Sequence, residues 1–419
     1  MLQNKKVQLL FFIALVFSIK LTQAQTLLVP DRVFDGMEMH ENWVIYVVDN
    51  QIEYAGEASK FRVPNEAAKI DLKGMTLMPG LIEGHSHLLL HPYNETEWND
   101  QVLKESPVER AIRGSVAAKA SLLAGITSMR DLGAEGAGYT DVYLKKTIDD
   151  GIIPGPRLKV AGPAIVATGA YGPKGFHDGV TVPLGAEPVS GIDDAIKAVR
   201  RQLGNGASFI KVYADYRWGK GEPSNPTFLQ EELNVMVATA KSAGRYVVAH
   251  ASTPEGMRRA ILAGVETIEH GDGGTLEVFK LMKEKGVAFC PTITAGHAIE
   301  RYKGWRPNIN PDPERITKKK KSIQLALEAG VDIIFGGDVG VFAHGENYRE
   351  LELMVEYGIS PIAALQAATL VNAQLLHFEN LGQLKKGFLA DIIAVKGNPI
   401  KDITKMREIE FVMKDGIIL

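Results

Sequence analysis

Between residues 77 and 335, short apolar segments alternate with amphipathic ones, and this alternation restricts the possible folds more than any other feature of the chain. The apolar segments have the length and residue content of strands, and they fall at residues 77–82, 126–130, 157–161, 209–213, 246–249, 267–269, 287–290 and 331–335. Helical patterns separate most of them, including residues 108–124, 192–203, 230–243, 254–263 and 276–285. Strands that alternate with helices indicate an α/β fold with a parallel sheet.

Eight strand–helix units are the number that a TIM-type (β/α)8 barrel needs, and in such a barrel the catalytic groups lie at the carboxyl ends of the strands. A doubly wound open sheet is the alternative. It is disfavoured because no Gly-x-Gly-x-x-Gly turn follows an early strand. The sequence therefore predicts a barrel over residues 77–380.

The two ends of the chain have a different pattern, which is that of short strands and turns. Residues 43–48 and 51–55 are rich in β-forming residues, and residues 390–395 and 410–416 repeat this pattern near the other end. Neither end is long enough to bury a core alone. We therefore expect residues 25–76 and 381–419 to pair into one small β-sandwich domain.

Residues 1–24 have the three-part layout of a secretory signal peptide. Lys5 and Lys6 precede an apolar run at residues 7–17, and Thr22-Gln23-Ala24 offers small residues at a cleavage site near Ala24. The run is short for a bilayer span, so no stable membrane anchor is expected, and an uncleaved anchor is the less favoured alternative. The pattern predicts an exported protein, periplasmic or secreted.

Composition excludes several classes of protein. The 419 residues carry a formal net charge of −3, which does not indicate nucleic acid or an anionic membrane surface as a partner. Cys290 is the only cysteine, so the chain has no intramolecular disulfide and no cysteine zinc cage. The lysine run at residues 318–321 is interpreted as a solvated helix face.

Polar residues with metal-binding chemistry occur where the predicted strands end. Taken alone, each residue also has an explanation that does not involve function. A histidine can be hydrogen-bonded within the core, a lysine can reach a nearby carboxylate, and an aspartate can cap a helix N-terminus. Together they offer nitrogen and oxygen ligands, which suit Zn²⁺ and also admit Mn²⁺, Co²⁺ or Fe²⁺. A buried lysine that is carboxylated by CO₂ becomes an anion able to bridge two cations. The candidate ligands are His85, His87, Lys211, His250, His270 and Asp338.

The order of these residues resembles the binuclear branch of the amidohydrolase superfamily, and within it the imidazolonepropionase-related, prolidase-like group. Residues 78–87, 268–271 and 387–392 carry the resemblance together with the six ligands, and it covers nearly the whole chain after residue 24. The resemblance implies two divalent metal ions. His85, His87 and Asp338 would hold one ion, His250 and His270 would hold the other, and carboxylated Lys211 would bridge them.

The resemblance also implies a mechanism. A hydroxide shared by the two ions would attack an amide or peptide carbonyl. Asp338 would act first as general base and then as general acid toward the leaving amine. The expected substrate is a small molecule, either a dipeptide or an N-acyl amino acid, and relatives of this kind commonly form homo-oligomers.

Loops after the strands contain candidate substrate-binding residues. Arg217 and Lys220 are two cations beside aromatic rings and suit a substrate carboxylate, although a loop paired to Asp215 is an equal alternative. The remaining candidates are Tyr171, His344 and Asn347. Ser252 stands where dipeptide-cleaving members often have a tyrosine, so Tyr171 or His344 is expected to replace that donor.

Three other classes of function remain open at this point. A deaminase or cyclic-amide hydrolase of the same fold usually lacks the bridging lysine, and Thr253 occupies the position where many deaminases have a glutamate. A lactonase or phosphotriesterase uses the same kind of site. A non-catalytic binding protein on the same barrel is the least favoured, because all six ligands are present.

Overall fold

The first and last parts of the described chain consist mainly of strands, and strands alternate with helices between them. A computed structural model describes residues 25–419, so the predicted signal peptide lies outside the described residues. The strands are β1 Gln25–Phe34, β2 Met39–Glu41, β3 Trp43–Val48, β4 Gln51–Glu57, β5 Ala68–Pro79, β6 Leu81–Ser86, β7 Ile126–Asp131, β8 Arg157–Val160, β9 Ile165–Ala167, β10 Glu187–Val189, β11 Ile210–Tyr213, β12 Asp215–Tyr216, β13 Asn225–Pro226, β14 Val247–Ala251, β15 Thr267–His270, β16 Ala288–Cys290, β17 Ile392–Lys396, β18 Ile409–Lys414 and β19 Ile417–Ile418.

Five of the twelve α-helices in the described range match the predicted amphipathic segments to within one residue at each end. The helices are α1 Trp98–Lys104, α2 Pro107–Leu123, α3 Thr140–Asp149, α4 Gly191–Gly204, α5 Gln230–Ser242, α6 Pro254–Ala263, α7 Leu276–Lys285, α8 Ile293–Tyr302, α9 Glu314–Ala329, α10 Tyr348–Glu356, α11 Pro361–Gln366 and α12 Asn372–Leu375. A π-helical turn at Ala367–Val371 joins α11 to α12, and 3-10 turns occupy Ala58–Lys60 and Ile403–Arg407. No helix among residues 25–419 is long and apolar enough to cross a membrane.

Both ends of the chain contribute to a single eight-stranded sheet. Its order is β19-β18-β17-β5-β1-β3-β4, with β2 paired to β1. Strand β5 joins the two ends, because it pairs in parallel with β1 and antiparallel with β17. The sheet encloses its own apolar cluster, with Ile45 from the N-terminal part and Met413 from the C-terminal part, and both side chains are fully buried. The predicted pairing of the chain ends is confirmed.

The middle of the chain forms parallel sheets with helices between the strands. One sheet has the order β6-β7-β8 and another the order β10-β9-β11-β14-β15-β16. The Ser208 N–H donates to the Val160 carbonyl at 2.7 Å, which links the two sheets. Every residue of β6, β7 and β15 is buried, as expected for parallel strands that are covered on both faces. The predicted α/β fold of a TIM-type barrel with a β-sandwich domain is confirmed.

The predicted strand at residues 331–335 is irregular. Ile333 makes an isolated parallel bridge to Phe289, and the Phe335 carbonyl accepts a hydrogen bond from the Gly84 N–H at 3.0 Å. The same carbonyl also accepts a hydrogen bond from the Asn372 side chain at 2.7 Å. In a regular strand this carbonyl would bond only to the backbone of the neighbouring strand. The segment still lies between β16 and β6, and it brings the following residues to the same end as His85.

Candidate metal centre

The six predicted ligands meet at one end of the parallel strands. His85 lies in β6 and His87 directly after it, Lys211 lies in β11, His250 in β14, and His270 ends β15. Asp338 follows the irregular segment. Ligand atoms of His85, His270 and Asp338 all lie within 4.8 Å of one another, and His87 Nε2 is 3.5 Å from Asp338 Oδ1. The rings of His250 and His270 have centroids 4.5 Å apart. The strand-end prediction therefore places all six in one cluster.

His85 is oriented by a buried carboxylate. Its Nδ1 lies 2.8 Å from Glu269 Oε2, which leaves Nε2 facing Asp338 Oδ1 at 3.6 Å. Glu269 is in turn held by the fully buried Arg130, whose Nη2 donates to Glu269 Oε1 at 2.8 Å. A carboxylate on one ring nitrogen fixes the tautomer and aims the other nitrogen at a metal. His85 Nε2 is buried and makes no hydrogen bond in the described structure.

Two of the other histidines, His87 and His270, have neutral partners at Nδ1. His87 Nδ1 lies 3.0 Å from the Gly133 carbonyl, and His270 Nδ1 lies 2.8 Å from Thr292 Oγ1. His270 and Thr292 both have positive φ values, 74° and 46°. Backbone strain of this kind persists only where the surrounding structure holds it, and it is concentrated at functional sites.

Lys211 has the environment that a bridging ligand requires. Its side chain is completely buried, and Nζ makes no hydrogen bond in the described structure. Burial lowers the pKa of the Lys211 amine from its usual value. A buried ammonium without a partner is costly, whereas the neutral amine is the form that reacts with CO₂. The orphaned amine therefore fits a metal centre.

The protonation of the histidines also fits metal binding. Burial lowers the pKa of His250 to about 3 and holds the pKa values of His85 and His270 well below the usual range. The three rings are therefore neutral at physiological pH, and neutral imidazole is the form that binds metal ions.

Asp338 is held against β6 by the backbone. Its N–H donates to the His85 carbonyl at 2.9 Å, and its φ is 62°. The buried Glu83 carboxylate strengthens this junction, since it accepts the N–H groups of His85 at 3.0 Å and Gly337 at 2.9 Å. Burial raises the pKa of Glu83 to about 7 and also raises the pKa of Asp338.

A cavity of about 430 Å³ opens above the cluster. His87, His250, His270 and Asp338 form its floor, and aromatic rings form much of its wall. The rings belong to Tyr93, Trp98, Tyr171, Tyr213 and Tyr216, and the lining cations are Lys174, Arg217, Lys220 and Arg315. Glu135 is the lining carboxylate besides Asp338. The cavity thus offers a metal-binding floor beneath several positive charges.

Three of the five predicted substrate-binding residues line this cavity, namely Tyr171, Arg217 and Lys220. His344 and Asn347 are not brought to it. His344 Nε2 lies 3.2 Å from the Leu90 carbonyl, and the buried Asn347 amide donates to Glu83 Oε2 at 2.7 Å. Asn347 thus supports the junction beneath the site, because its amide is already used by Glu83.

Glu135 was not anticipated from the sequence. It is buried with a φ of 46°, and Arg110 holds this backbone by donating to the Glu135 carbonyl at 2.6 Å. Its Oε2 accepts from Trp98 Nε1 and from the Tyr171 hydroxyl, both at 2.8 Å. The only signal in the sequence is an acidic residue in a glycine-rich loop after the second strand, and such loops are common.

Comparisons with known proteins identify the family of the chain. Residues 76–419 match the model of the amidohydrolase family. The ochratoxinase of Aspergillus niger is 33% identical over 368 residues, which are 79% of this chain and 72% of that protein. The crystal structure of a Xaa-Pro dipeptidase with methionine bound in its active site is 33% identical, with a TM-score of 0.82 over 94% of this chain and 100% of that chain.

A third relative is a prolidase whose crystal structure was solved with N-methylphosphonate-L-proline. It is 27% identical, with a TM-score of 0.82 over 94% of this chain and 99% of that chain. These neighbours confirm the prolidase-like resemblance, and they support a hydrolase that acts on carbon–nitrogen bonds. The chain belongs to the amidohydrolase family.

Proposed function

We propose that this protein is a binuclear metal-dependent hydrolase that cleaves the amide or peptide bond of a small substrate with a free carboxylate, either a dipeptide or an N-acyl amino acid. One observation supports this most directly: a cluster of metal-binding side chains lies at the floor of a cavity that is lined by four cations.

The ligand set that we propose is the one implied by the resemblance. His85, His87 and Asp338 would hold one divalent ion, His250 and His270 the other, and carboxylated Lys211 would bridge the two. Zn²⁺ is the preferred ion for these nitrogen and oxygen donors. Bound divalent ions supply two effects at such a site, namely a lower pKa for a water molecule and polarisation of the scissile carbonyl.

Asp338 is the proposed proton carrier. Its carboxylate lies at the floor of the cavity and faces both His85 and His87, at 3.6 and 3.5 Å. Burial raises its pKa, which makes the carboxylate a better proton acceptor than a solvated aspartate. Asp338 would accept the proton of the attacking water and then donate it to the leaving nitrogen.

The cations of the cavity wall would bind the substrate carboxylate. Arg217 is exposed, with its guanidinium carbon 5.4 Å from the centre of the Tyr216 ring, and Lys220 is exposed in the same loop. Neither side chain has a carboxylate partner among residues 25–419, so both can meet an anion. The ligands of two structural neighbours, methionine and a proline derivative, are also amino-acid compounds.

We further propose that the protein is exported. The charged, apolar and small-residue segments of residues 1–24 support this proposal. An amino-terminal sequence that begins near Gln25 in protein from the exported fraction is the expected result, and an intact Met1 would contradict it.

The test combines metal analysis with a substrate panel. Purified protein is analysed for bound metal, then assayed on dipeptides, N-acyl amino acids, the corresponding C-terminal amides, lactones and a phosphotriester. We expect two metal ions per chain, hydrolysis of the first two classes, and poor hydrolysis of the C-terminal amides. One ion per chain, or faster turnover of lactones or phosphotriesters, would contradict the proposal.

Variants test separately the proton carrier and the residues proposed to bind the substrate carboxylate. Asp338→Asn is expected to lower kcat by about 10²- to 10⁴-fold while the protein still binds metal. Arg217→Met/Lys220→Met should raise KM for carboxylate substrates and leave kcat nearly unchanged. The matched control is Lys197→Met/Arg200→Met, two exposed cations on α4. An equal rise of KM in the control would remove the proposed carboxylate site.

A further inference from the structure

A second and larger cleft lies at the opposite end of the parallel strands from the metal centre. Its volume is about 930 Å³, against about 430 Å³ for the catalytic cavity. Residues at or just before the starts of β8, β11, β14 and β15 line it, among them Arg157, Ser208, Arg245 and Glu266. The catalytic residues lie at the other ends of these strands, so the cleft is separate from the site described above.

Several of the charges in this cleft are paired, whereas three cations and the Glu379 carboxylate are not, within the described part of the chain. Lys145 pairs with Asp149 on α3, Arg157 pairs with Asp391 and Asp415, and His377 Nε2 lies 2.7 Å from Glu266 Oε2. Lys159, Lys241 and Arg245 form no ion pair with any residue in the described range 25–419. Three unpaired cations against one unpaired carboxylate leave the cleft with an excess of positive charge, which favours an anionic ligand.

The cleft also has an aromatic wall. The ring of Tyr246 lies 4.9 Å from the ring of His377, and Lys159 Nζ lies 5.2 Å from the centre of the Phe378 ring. His377 has a φ of 59°, a conformation that non-glycine residues adopt rarely, and it places Phe378 beside the unpaired lysine. Burial lowers the pKa of Lys159, and an anion in the cleft would offset that cost.

We propose that this cleft binds a small organic anion with a planar apolar group, such as an aromatic carboxylate or an aromatic phosphate ester. The ammonium of Lys159 and the exposed cations Lys241 and Arg245 would contact the anionic group, and the rings of His377 and Phe378 would contact the planar group. Glu379 lines the same cleft, so a ligand with one anionic group is favoured over a polyanion. This site does not depend on the proposed hydrolytic function.

The test measures binding by calorimetry with the full-length, metal-loaded protein. Benzoate and phenyl phosphate represent the carboxylate and phosphate sources, while inorganic phosphate supplies charge alone and benzyl alcohol supplies a ring alone. We expect benzoate or phenyl phosphate to bind in the millimolar range or tighter, and each partial ligand to bind at least tenfold more weakly. Binding of inorganic phosphate as tight as that of phenyl phosphate would overturn the aromatic part of the proposal.

Variants separate this cleft from the metal centre. Lys241→Ala/Arg245→Ala should weaken binding of the aromatic anion at least about tenfold, because two charged donors are lost. Lys159→Met should weaken it as well. The control is Arg62→Ala/Lys69→Ala, which changes one exposed cation in the loop before β5 and one on β5, and it should bind like the unmodified protein. Unchanged affinity in both cleft variants, or no binding of any probe, would overturn the proposal.

Discussion

The hydroxyl of Thr292 is expected to determine how well His270 binds a metal ion. Thr292 Oγ1 is the partner of His270 Nδ1 at 2.8 Å, and it lies in a buried backbone segment with a positive φ. Thr292→Val keeps the shape and the branching but removes this partner. We expect metal affinity to fall about 10- to 100-fold, measured by competition with a chelator of known affinity. The exposed Thr317→Val on α9 is the control, and equal affinities of the two variants would contradict the role of Thr292.

Glu135 is expected to select among substrates. His87 Nδ1 is already satisfied by the Gly133 carbonyl and lies 3.9 Å from Glu135 Oε1, so orienting that histidine is not the role of this carboxylate. A free α-amino group lies next to the scissile carbonyl in a dipeptide, and an aromatic-lined carboxylate suits a cation there.

Glu135→Gln keeps the size of the side chain and removes its charge. We expect kcat/KM for dipeptides to fall about 10- to 100-fold, and kcat/KM for the N-acetylated forms to change little. The comparison is made with Glu231→Gln, an exposed residue of α5. Equal losses for both substrate forms would indicate that Glu135 only supports the loop.

At this scale, the sequence predicted six candidate ligands, which the structure brings to one end of the parallel strands, and it missed the residues that orient them. Each ligand lies in or directly after an apolar segment, and this placement is a local signal. Glu269 and Glu83 act through partners that are 184 and 254 residues away along the chain, and no local pattern reports such contacts. The sequence also suggested Asn347 for substrate binding, because it could not show that Glu83 already uses this amide.

In helix α9, a contact between residues that are distant along the chain was also missed. The lysine run at residues 318–321 was interpreted as a solvated face, yet Lys319 is only 2% exposed. Helical periodicity contained the signal, since residue 319 shares a face with the buried Ile316, Ile323 and Ala326. Lys319 Nζ donates to the carbonyls of His270 and Pro291.

Lys319→Met is therefore expected to destabilise the fold. The substitution keeps an unbranched side chain but leaves Asp272, the ion-pair partner of Lys319, with Arg315 at 3.4 Å as its remaining cation. Breaking a buried pair by removing one partner costs about 3–5 kcal/mol in the free energy of unfolding. Denaturant unfolding measures this loss. Lys321→Met, an exposed position on the same helix, should stay within about 0.5 kcal/mol of the unmodified protein, and equal stabilities of the two variants would contradict the buried role.

Helix ends could be predicted from local sequence, whereas one strand could not. Helices α6 and α7 begin and end at the residues that were predicted, because Thr253 and Thr275 cap them and Gly264 and Gly286 end them in the left-handed conformation. The segment at residues 331–335 was predicted as a strand but is irregular. The Phe335 carbonyl of this segment accepts a hydrogen bond from Asn372, which lies 37 residues further along the chain and is not part of the local pattern.

At the scale of the whole molecule, the two chain ends and the parallel strands are connected through β5 and β6. Strand β5 ends at Pro79 inside the sheet of the chain ends, and β6 begins two residues later at Leu81. The Gly80 N–H between them donates to the Asp391 carbonyl at 2.9 Å, so the C-terminal part of the sheet contacts the junction directly. Arg157 at the start of β8 also pairs with Asp391 and Asp415. This connection implies that the sheet and the barrel unfold together.

Met413→Ala tests that cooperativity. Met413 is fully buried in the cluster of the end sheet and lies opposite Ile392 in the pairing of β17 with β18. Truncation of a buried methionine costs about 2–5 kcal/mol. The α-helices lie in the middle of the chain, so the far-ultraviolet circular dichroism signal of helix reports on that part.

If the end sheet and the barrel unfold as one unit, the helical signal is lost at a lower denaturant concentration in the variant. Met37→Ala, at a position 53% exposed, should leave the helical transition unchanged, and a helical transition unaffected by Met413→Ala would show that the barrel folds independently of the chain ends.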